Sequence, residues 1–404
     1  MSIAHSMLIR ADYITNQSAP GILATFLSKP DFMNIYFENK EFDLTHFISF
    51  CRIHLDVNDF EDWRQPIFGF FTEWHNSSDF ITVKTSGSTG EPKLISIEKK
   101  HAVISAKATL KFLDIQPGGL AWLCLSANYI AGKMMIVRAL VGGLDLWISK
   151  PESLPTFPGV NKIALAAMVP LQLSNLVEKK DGLSLIDKTI RSVLIGGGAL
   201  PKMLEDSLRQ LTHVCLWHTY GMTETISHIA LRKVNGNEAS PTFSALPGVK
   251  IEKNKTGNLV VEYQDIGITN LYTNDLVTLF ADGTFSIDGR TDFIINSGSI
   301  KINPVLLEKK LEGHLPCPFF ITGLPDIHLG EKAVLCLENS GELLPKICEL
   351  WKIIEGLVSK PEIPREIHFL EHFVRSENGK LKRDSTAILL NTRAKITNRN
   401  YRQQ

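Results

Sequence analysis

Apolar and polar positions alternate along the chain between short β-branched runs and stretches of helical spacing, a pattern that predicts α/β architecture. Residues 80–85 (FITVKT) read as a strand, followed by a loop of Ser, Gly, Thr and Pro and a second short strand at 94–97 (LISI). Beyond it, Ala102, Ala106, Leu110 and Leu113 recur at helical spacing and predict an amphipathic helix. Residues 191–198 (RSVLIGGG) read as a buried strand running into a glycine turn. Pro201 then suits the first turn of a helix reaching about Leu211. Residues 213–221 (HVCLWHTYG) are a further strand, ending in a polar loop.

From about Ala245 the texture changes to short strands separated by Gly, Asn and Asp. The pairs Asp282-Gly283 and Asp288-Gly289 predict hairpin turns. After Arg290, helical patterns at 304–311 and 344–357 alternate with strands at 319–323, 332–337 and 367–370. Two units are therefore expected, residues 1–290 and a compact α+β unit at 291–404. The mildly basic, polar stretch from Lys382 on predicts a frayed terminus.

Composition removes several classes of function. The 43 Lys+Arg balance 43 Asp+Glu, which argues against a dedicated nucleic-acid binder. An apolar content of 44% is too high for a disordered chain of such low net charge. No apolar run approaches the ~20 residues of a membrane span, and the stretch 131–147 is interrupted by Lys133, Arg138 and Asp145. The N-terminus carries no secretory pattern. Six cysteines lie far apart without a CxxC pair, as reduced thiols do, so the expected location is the cytoplasm.

Four segments carry candidate chemistry. Thr85-Ser86-Gly87-Ser88-Thr89-Gly90, running on to Lys93, offers glycines, hydroxyls, backbone N–H groups and a cation able to wrap phosphate oxygens. It lacks Walker A spacing, and taken alone such a loop is more often simply a hairpin tip. Tyr220-Gly221-Met222-Thr223-Glu224-Thr225 combines a ring for stacking, a hydroxyl and a carboxylate able to bind Mg2+. An ordinary strand-to-helix turn with a Thr cap would look the same. Asp275 in LYTNDLV, followed by Gly289-Arg290-Thr291-Asp292, reads as turn residues when taken alone. Asn378-Gly379-Lys380-Leu381-Lys382-Arg383 reads as a hairpin with solvated basic neighbours.

In this order and spacing TSGSTGEPK, GGG, YGMTET, TND, GRTD and NGKLKR resemble the acyl-adenylate-forming superfamily, over residues 80 to 385 approximately. The resemblance implies a large N-terminal domain of α/β layers with a distorted β-barrel part, and a small mobile α+β C-terminal domain. It implies ATP and CoA as co-substrates, Mg2+ as cofactor and a small-molecule carboxylic acid as substrate; a homo-oligomer is compatible with it. Thr85 to Lys93 would close over the β- and γ-phosphates of ATP, and Gly196, Gly197 and Gly198 would lie along adenine and the acyl group. Tyr220, followed by Gly221, would stack on adenine; Thr223 would meet the α-phosphate, and Glu224 would hold Mg2+. Asp275 would bind the ribose hydroxyls with Arg290 as partner, Asp292 would be the hinge, and Lys380 the catalytic lysine. Asn274 departs from the pattern, standing where relatives carry Gly. About eighty residues precede the phosphate loop, roughly half of what many relatives carry, which would alter the acyl pocket or an oligomer contact.

The acyl group is read from residues 126–138, where Tyr129 stands at the position of a gating aromatic or His. Arg138 lies in an otherwise apolar helical run, where an unpaired guanidinium is costly. On residue chemistry alone, an Asp or Glu elsewhere in the fold would be its partner. The segment resembles that of the 2-succinylbenzoate–CoA ligases, which implies that Arg138 binds a second substrate carboxylate, with Ser227 close by. Activation of another acid, loading of a carrier protein, and a silent nucleotide or acyl sensor are the alternatives. His218 and His228 flank the same segments, as core or surface residues or as part of the site.

Overall fold

The computed structural model describes residues 33–56, 62–84, 93–160, 162–339, 346–376, 381–393 and 395–398. Nine strands form the principal sheet, in the spatial order Ser244–Ala245, His228–Lys233, Cys215–Gly221, Ile190–Ile195, Ile163–Met168, Leu120–Leu123, Asp145–Ile148, Asn34–Phe37 and Lys40–Asp43. The six strands from Cys215–Gly221 to Asn34–Phe37 run parallel, and antiparallel strands complete both edges. Ile163–Met168 and Ile190–Ile195 are almost continuously buried. Their unbroken apolar character follows from being covered on both faces, as parallel strands are.

The helix Ile130–Gly142 is buried nearly all round, with Gly132, Met134 to Val141 and Arg138 all inside. A Cβ on Gly132 would stand 2.3 Å from the carbonyl oxygen of Ser126, so only glycine lets the helix start so close to the preceding loop. The expected pair of short strands is found as the antiparallel pair Phe80–Lys84 and Leu94–Glu98, and the helix Lys99–Phe112 follows it.

A four-stranded antiparallel sheet comprises Lys250–Lys253, Asn258–Tyr263, Ile268–Leu279 and Phe285–Arg290. Asp282-Gly283 turns between the last two, with Gly283 at φ 81°. Asp288-Gly289 does not form the second hairpin turn expected: both residues sit inside Phe285–Arg290. A register shift opposite, between Leu276 and Val277, absorbs Asp288, and Asn303 fills the space a Cβ on Gly289 would need.

Residues beyond Arg290 build a separate six-stranded sheet around Phe319–Asp326, Gly330–Glu338 and Glu366–Leu370. Helices Pro304–Leu311 and Ile347–Leu357 cover it, and an apolar cluster including Leu307, Leu335, Trp351 and Phe369 holds it together. Asn303 caps the first helix by accepting from the N–H groups of Val305 and Leu306, and Pro304 occupies its first turn. Among the described residues beyond Lys382 the expected fraying is not found: they form the helix Arg383–Arg393 and the strand Lys395–Asn398, which pairs with Glu366–Leu370. Arg383 is anchored by a two-pronged ion pair with Glu308, 75 positions away, which composition does not reveal. No helix among the described residues is long and apolar enough to cross a membrane.

Candidate active site

Because the central strands are parallel, their carboxyl ends share one edge of the sheet, where α/β folds place ligands. The segments after Leu120–Leu123, Ile163–Met168, Ile190–Ile195 and Cys215–Gly221 meet there and line a cleft of about 2230 Å3. That exceeds the ~300–1,000 Å3 of a pocket for one small molecule and leaves room for two ligands. The small unit closes the far side with Val305, Glu308, Lys309 and Glu312. Lys309 Nζ donates to the Ile287 carbonyl at 2.7 Å, and Glu312 accepts from the Lys202 N–H at 2.7 Å.

Arg138 lines the inner end of the cleft from the helix Ile130–Gly142 and is 3% exposed. Among the described residues no carboxylate pairs with it, so the acidic partner that residue chemistry alone suggested is not there. One Nη donates to Ser227 Oγ at 3.1 Å, while Nε has no partner. Burial pushes the guanidinium down to about 10. Ser227 also meets Ser105 Oγ at 3.0 Å, and Thr109 joins the group through His228 Nε2 at 3.1 Å. Burial, then the charge of Arg138, holds His228 well below the usual histidine range, so it stays neutral beside the cation. Tyr129 stands at the start of the same helix and lines the cleft. Sequence reasoning missed Ser105 and Thr109; they sit on a helix more than a hundred residues before their partners, and no local signal marks them.

At the other end, Tyr220 donates its phenol proton to Asp275 Oδ2 at 2.5 Å, tying two sheets together. Burial and the Asp275 charge raise the phenol far above its usual range, so it remains a donor. Phe285 meets the Tyr220 ring edge-on at 5.7 Å. Asp275 Oδ1 accepts from Arg290 at 3.3 Å, and Arg290 also holds both oxygens of Asp292. Arg290 thereby lowers the Asp292 carboxyl, although burial acts to raise it. Asn274 reaches Asp292 at 3.5 Å, so the residue in place of Gly makes a side-chain contact of its own. A carboxylate has about four lone-pair positions, and Asp275 uses two, leaving acceptor capacity toward the cleft.

The turn after Tyr220 is tight. A Cβ on Gly221 would meet the Ser227 carbonyl at 2.3 Å. Ile226 sits at φ 67°, a costly conformation for a β-branched residue, on a turn held by Thr225 Oγ1 to Met222 and Ser227. Thr223 is buried in this turn and Glu224 is exposed, both lining the cleft. Among the described residues Glu224 has no cationic partner, which suits a carboxylate that holds Mg2+ together with phosphate oxygens and water.

Gly196, Gly197 and Gly198 form the turn after Ile190–Ile195 and line the middle of the cleft. His218 and Arg232, beneath them, belong to the site by position. Glu205 there is held down to about 2 by Arg232 and Arg209, against the opposing effect of burial. Lys84 and Lys93 bring two cations to the cleft wall. Thr85, Ser86, Gly87, Ser88, Thr89, Gly90 and Lys380 lie outside the described residues.

Comparison with known proteins adds independent findings. The profile of the family described as AMP-binding enzyme matches residues 74–264. A 2-succinylbenzoate–CoA ligase of Bacillus cereus is 25% identical over 333 residues, which cover 74% of this chain and 68% of that one. The fold resembles an O-succinylbenzoate coenzyme A synthetase of Bacillus subtilis, solved with ATP and magnesium ion, at 21% identity and a TM-score of 0.60, over 76% of this chain and 69% of that one. An acyl-CoA synthetase (AMP-forming)/AMP-acid ligase II-like protein of Dyadobacter fermentans is 31% identical, with a TM-score of 0.55, and the match covers 85% of this chain and 98% of that chain. Identity of 31% over most of both chains, joined to the profile match over the cleft-forming core, means that the chain belongs to the family of AMP-binding enzymes.

Proposed function

We propose that this AMP-forming acyl-CoA synthetase activates 2-succinylbenzoate with ATP, releasing pyrophosphate, and transfers the acyl group to CoA with release of AMP, a step of menaquinone biosynthesis. The observation that carries the reading is Arg138: a buried guanidinium with an unpartnered Nε, lining the cleft and facing no acid among the described residues. A cation left so is costly unless a ligand completes it. A dicarboxylate supplies that ligand while its other carboxylate stays free to react. The names of the relatives point to the same acid.

The chain's own groups divide the remaining work. Tyr220, Asp275 and Arg290 would hold the nucleoside, with Asp275 accepting from ribose hydroxyls. Thr223 would meet the α-phosphate. Glu224 would hold Mg2+, which supplies charge to offset the repulsion between a carboxylate and a polyanion. Lys380 would add an ammonium at the same centre. We place the boundary between the two units at Arg290–Thr291, with Asp292 as hinge; the separate apolar clusters on either side of it support this. Use of ATP and CoA fits a cytoplasmic protein.

The test is pyrophosphate release with Mg2+-ATP, CoA and a panel of 2-succinylbenzoate, benzoate and medium-chain fatty acids. CoA-coupled turnover confined to 2-succinylbenzoate is expected. Turnover on a monocarboxylate alone would discard this substrate, and acceptance of a carrier protein in place of CoA would discard the thiol. Arg138→Ala should raise KM for the dicarboxylate far more than for any monocarboxylate.

A further inference from the structure

Arg232 donates its Nε hydrogen to His218 Nδ1 at 3.0 Å. A guanidinium has only donors, so Nδ1 must present a lone pair and the imidazole proton must sit on Nε2. That proton points at the carbonyl oxygen of Gly198, 3.0 Å away. Arg232 is itself fixed: its two Nη groups grip Glu205 at 3.1 and 2.7 Å, one also reaches the Ser240 carbonyl at 3.2 Å, and Phe243 lies 5.8 Å beneath the guanidinium. Orientation thus passes from an ion pair through one imidazole tautomer to one backbone carbonyl.

The carbonyl it reaches belongs to a glycine segment whose backbone is otherwise anchored by the Gly196 N–H, donating to the Met168 carbonyl at 3.1 Å. Gly196 to Gly198 carry no side chains, and Gly197 adopts φ 84°. The neighbouring Thr219 secures the near end, donating to the Ile195 carbonyl at 3.1 Å and filling the space where a Gly196 Cβ would stand. His218 secures the far end. Two consecutive residues of Cys215–Gly221 therefore grip the glycine turn at both of its ends, next to Tyr220.

We infer that His218, oriented by Arg232, is a positioning residue that sets the Gly196–Gly198 turn for nucleotide binding. This rests on the adenylation reading in one respect, that the turn faces the nucleotide. Glutamine can serve in place of histidine, its oxygen accepting from Arg232 and its amide donating to Gly198, whereas leucine can do neither and asparagine is too short to span both.

The experiment measures AMP affinity by titration calorimetry, and ATP–pyrophosphate exchange, for wild type, His218→Gln, His218→Asn and His218→Leu. His218→Leu and His218→Asn should each weaken AMP by ~10-fold, the loss of one buried hydrogen bond. They should raise KM for ATP without an equal fall in kcat, and His218→Gln should stay within about threefold of wild type. Unchanged AMP affinity in the Leu and Asn variants would overturn the inference, as would a Gln variant as impaired as Leu. Should the Leu variant not fold, the Asn and Gln pair gives the same contrast. Wild type that binds AMP yet shows no exchange would sink the functional reading and leave this inference to stand or fall on the AMP affinities.

Discussion

Arg138 and Ser227 are joined by a single hydrogen bond of 3.1 Å at the inner end of the cleft, and this is the only partner the structure gives the guanidinium among the described residues. The pair makes function and stability pull in opposite directions. A buried cation without a counter-charge costs stability, and an apolar side chain of similar length removes that cost. Arg138→Met should therefore hold or raise the melting temperature, by the equivalent of about 1 kcal/mol or more. It should also raise KM for 2-succinylbenzoate by ~100-fold, the scale of losing a buried charge-assisted contact. Calorimetric melting and steady-state kinetics check both halves. A melting temperature lowered by several degrees would mark Arg138 as a structural residue instead.

The Tyr220–Asp275 bond carries a second expectation. Tyr220→Phe keeps the ring and its edge contact with Phe285 but removes a hydrogen bond to a buried carboxylate. Such bonds contribute roughly 1.5–3 kcal/mol, so KM for ATP should rise ~10-fold or more. KM for the acid should stay near wild type, because Arg138 and Ser227 are untouched. Equal effects on both constants would show that the bond supports the fold rather than the nucleotide.

Acid stability provides a third. Burial, then the Arg232 charge, holds His218 down to about 4 against 6.5 for a free imidazole. The unfolded chain therefore takes up a proton between these values that the folded protein refuses. Stability from this residue is complete above about pH 6.5 and falls as pH drops toward 4, by roughly 3 kcal/mol in all. Arg232 and Glu205 are the charged groups facing it. Glu205, held down to about 2, keeps its contribution above 4.5 and loses it only as pH drops further toward 2. Buried His228 titrates in the same direction and remains in every variant. His218→Gln should consequently lose less stability than wild type between pH 7 and pH 5 in denaturant titrations. Parallel losses would mean that His218 protonates freely in the folded state.

What could be read from the sequence was what is written locally. Strand Phe80–Lys84, helix Pro304–Leu311 and the Asp282-Gly283 turn each depend on neighbouring residues, and each was visible in periodicity or turn chemistry. The Asp288-Gly289 pair misled because the strand opposite absorbs it through a register shift, which is a property of the pair of strands. The helix Arg383–Arg393 was hidden by its polar composition; its first residue is fixed by Glu308 from a distant helix. The same division holds in the cleft. Motif residues sit in contiguous segments, whereas Arg138, Ser227, Ser105, Thr109 and His228 form one group only because helix and strand are brought together across the sheet. Arg232 in HIALRK carries no local signal, because its partners Glu205 and His218 lie in other elements.

Side chains hold the base of the strand that leads into the candidate phosphate loop. Thr82, in the strand leading to residue 85, has both backbone groups taken by side chains. Its N–H donates to Glu73 Oε1 at 2.7 Å, and its carbonyl accepts from Lys133 Nζ at 2.6 Å. The two side chains lie 3.6 Å apart, and Lys133 also sits 5.1 Å over Phe70, so Glu73 and Lys133 together stand in for a neighbouring strand on a two-stranded hairpin. Lys84 bridges to Tyr129 at the start of the helix that carries Lys133 and Arg138. Burial lowers Lys133, so its charge is maintained by Glu73 and the ammonium is not a free stabiliser. Lys133→Met keeps the aliphatic stem over Phe70 and removes the grip on Thr82 together with the charge paired to Glu73. The melting temperature should fall modestly, since the lost desolvation cost of the cation is outweighed by Glu73 losing its counter-charge. KM for ATP should rise ~5- to 10-fold with KM for the acid nearly constant, because the strand base is loosened on the nucleotide side. An unchanged KM for ATP would show that the hairpin is held by its own pairing with Leu94–Glu98. A rise in both constants would mean that the helix Ile130–Gly142 itself has moved.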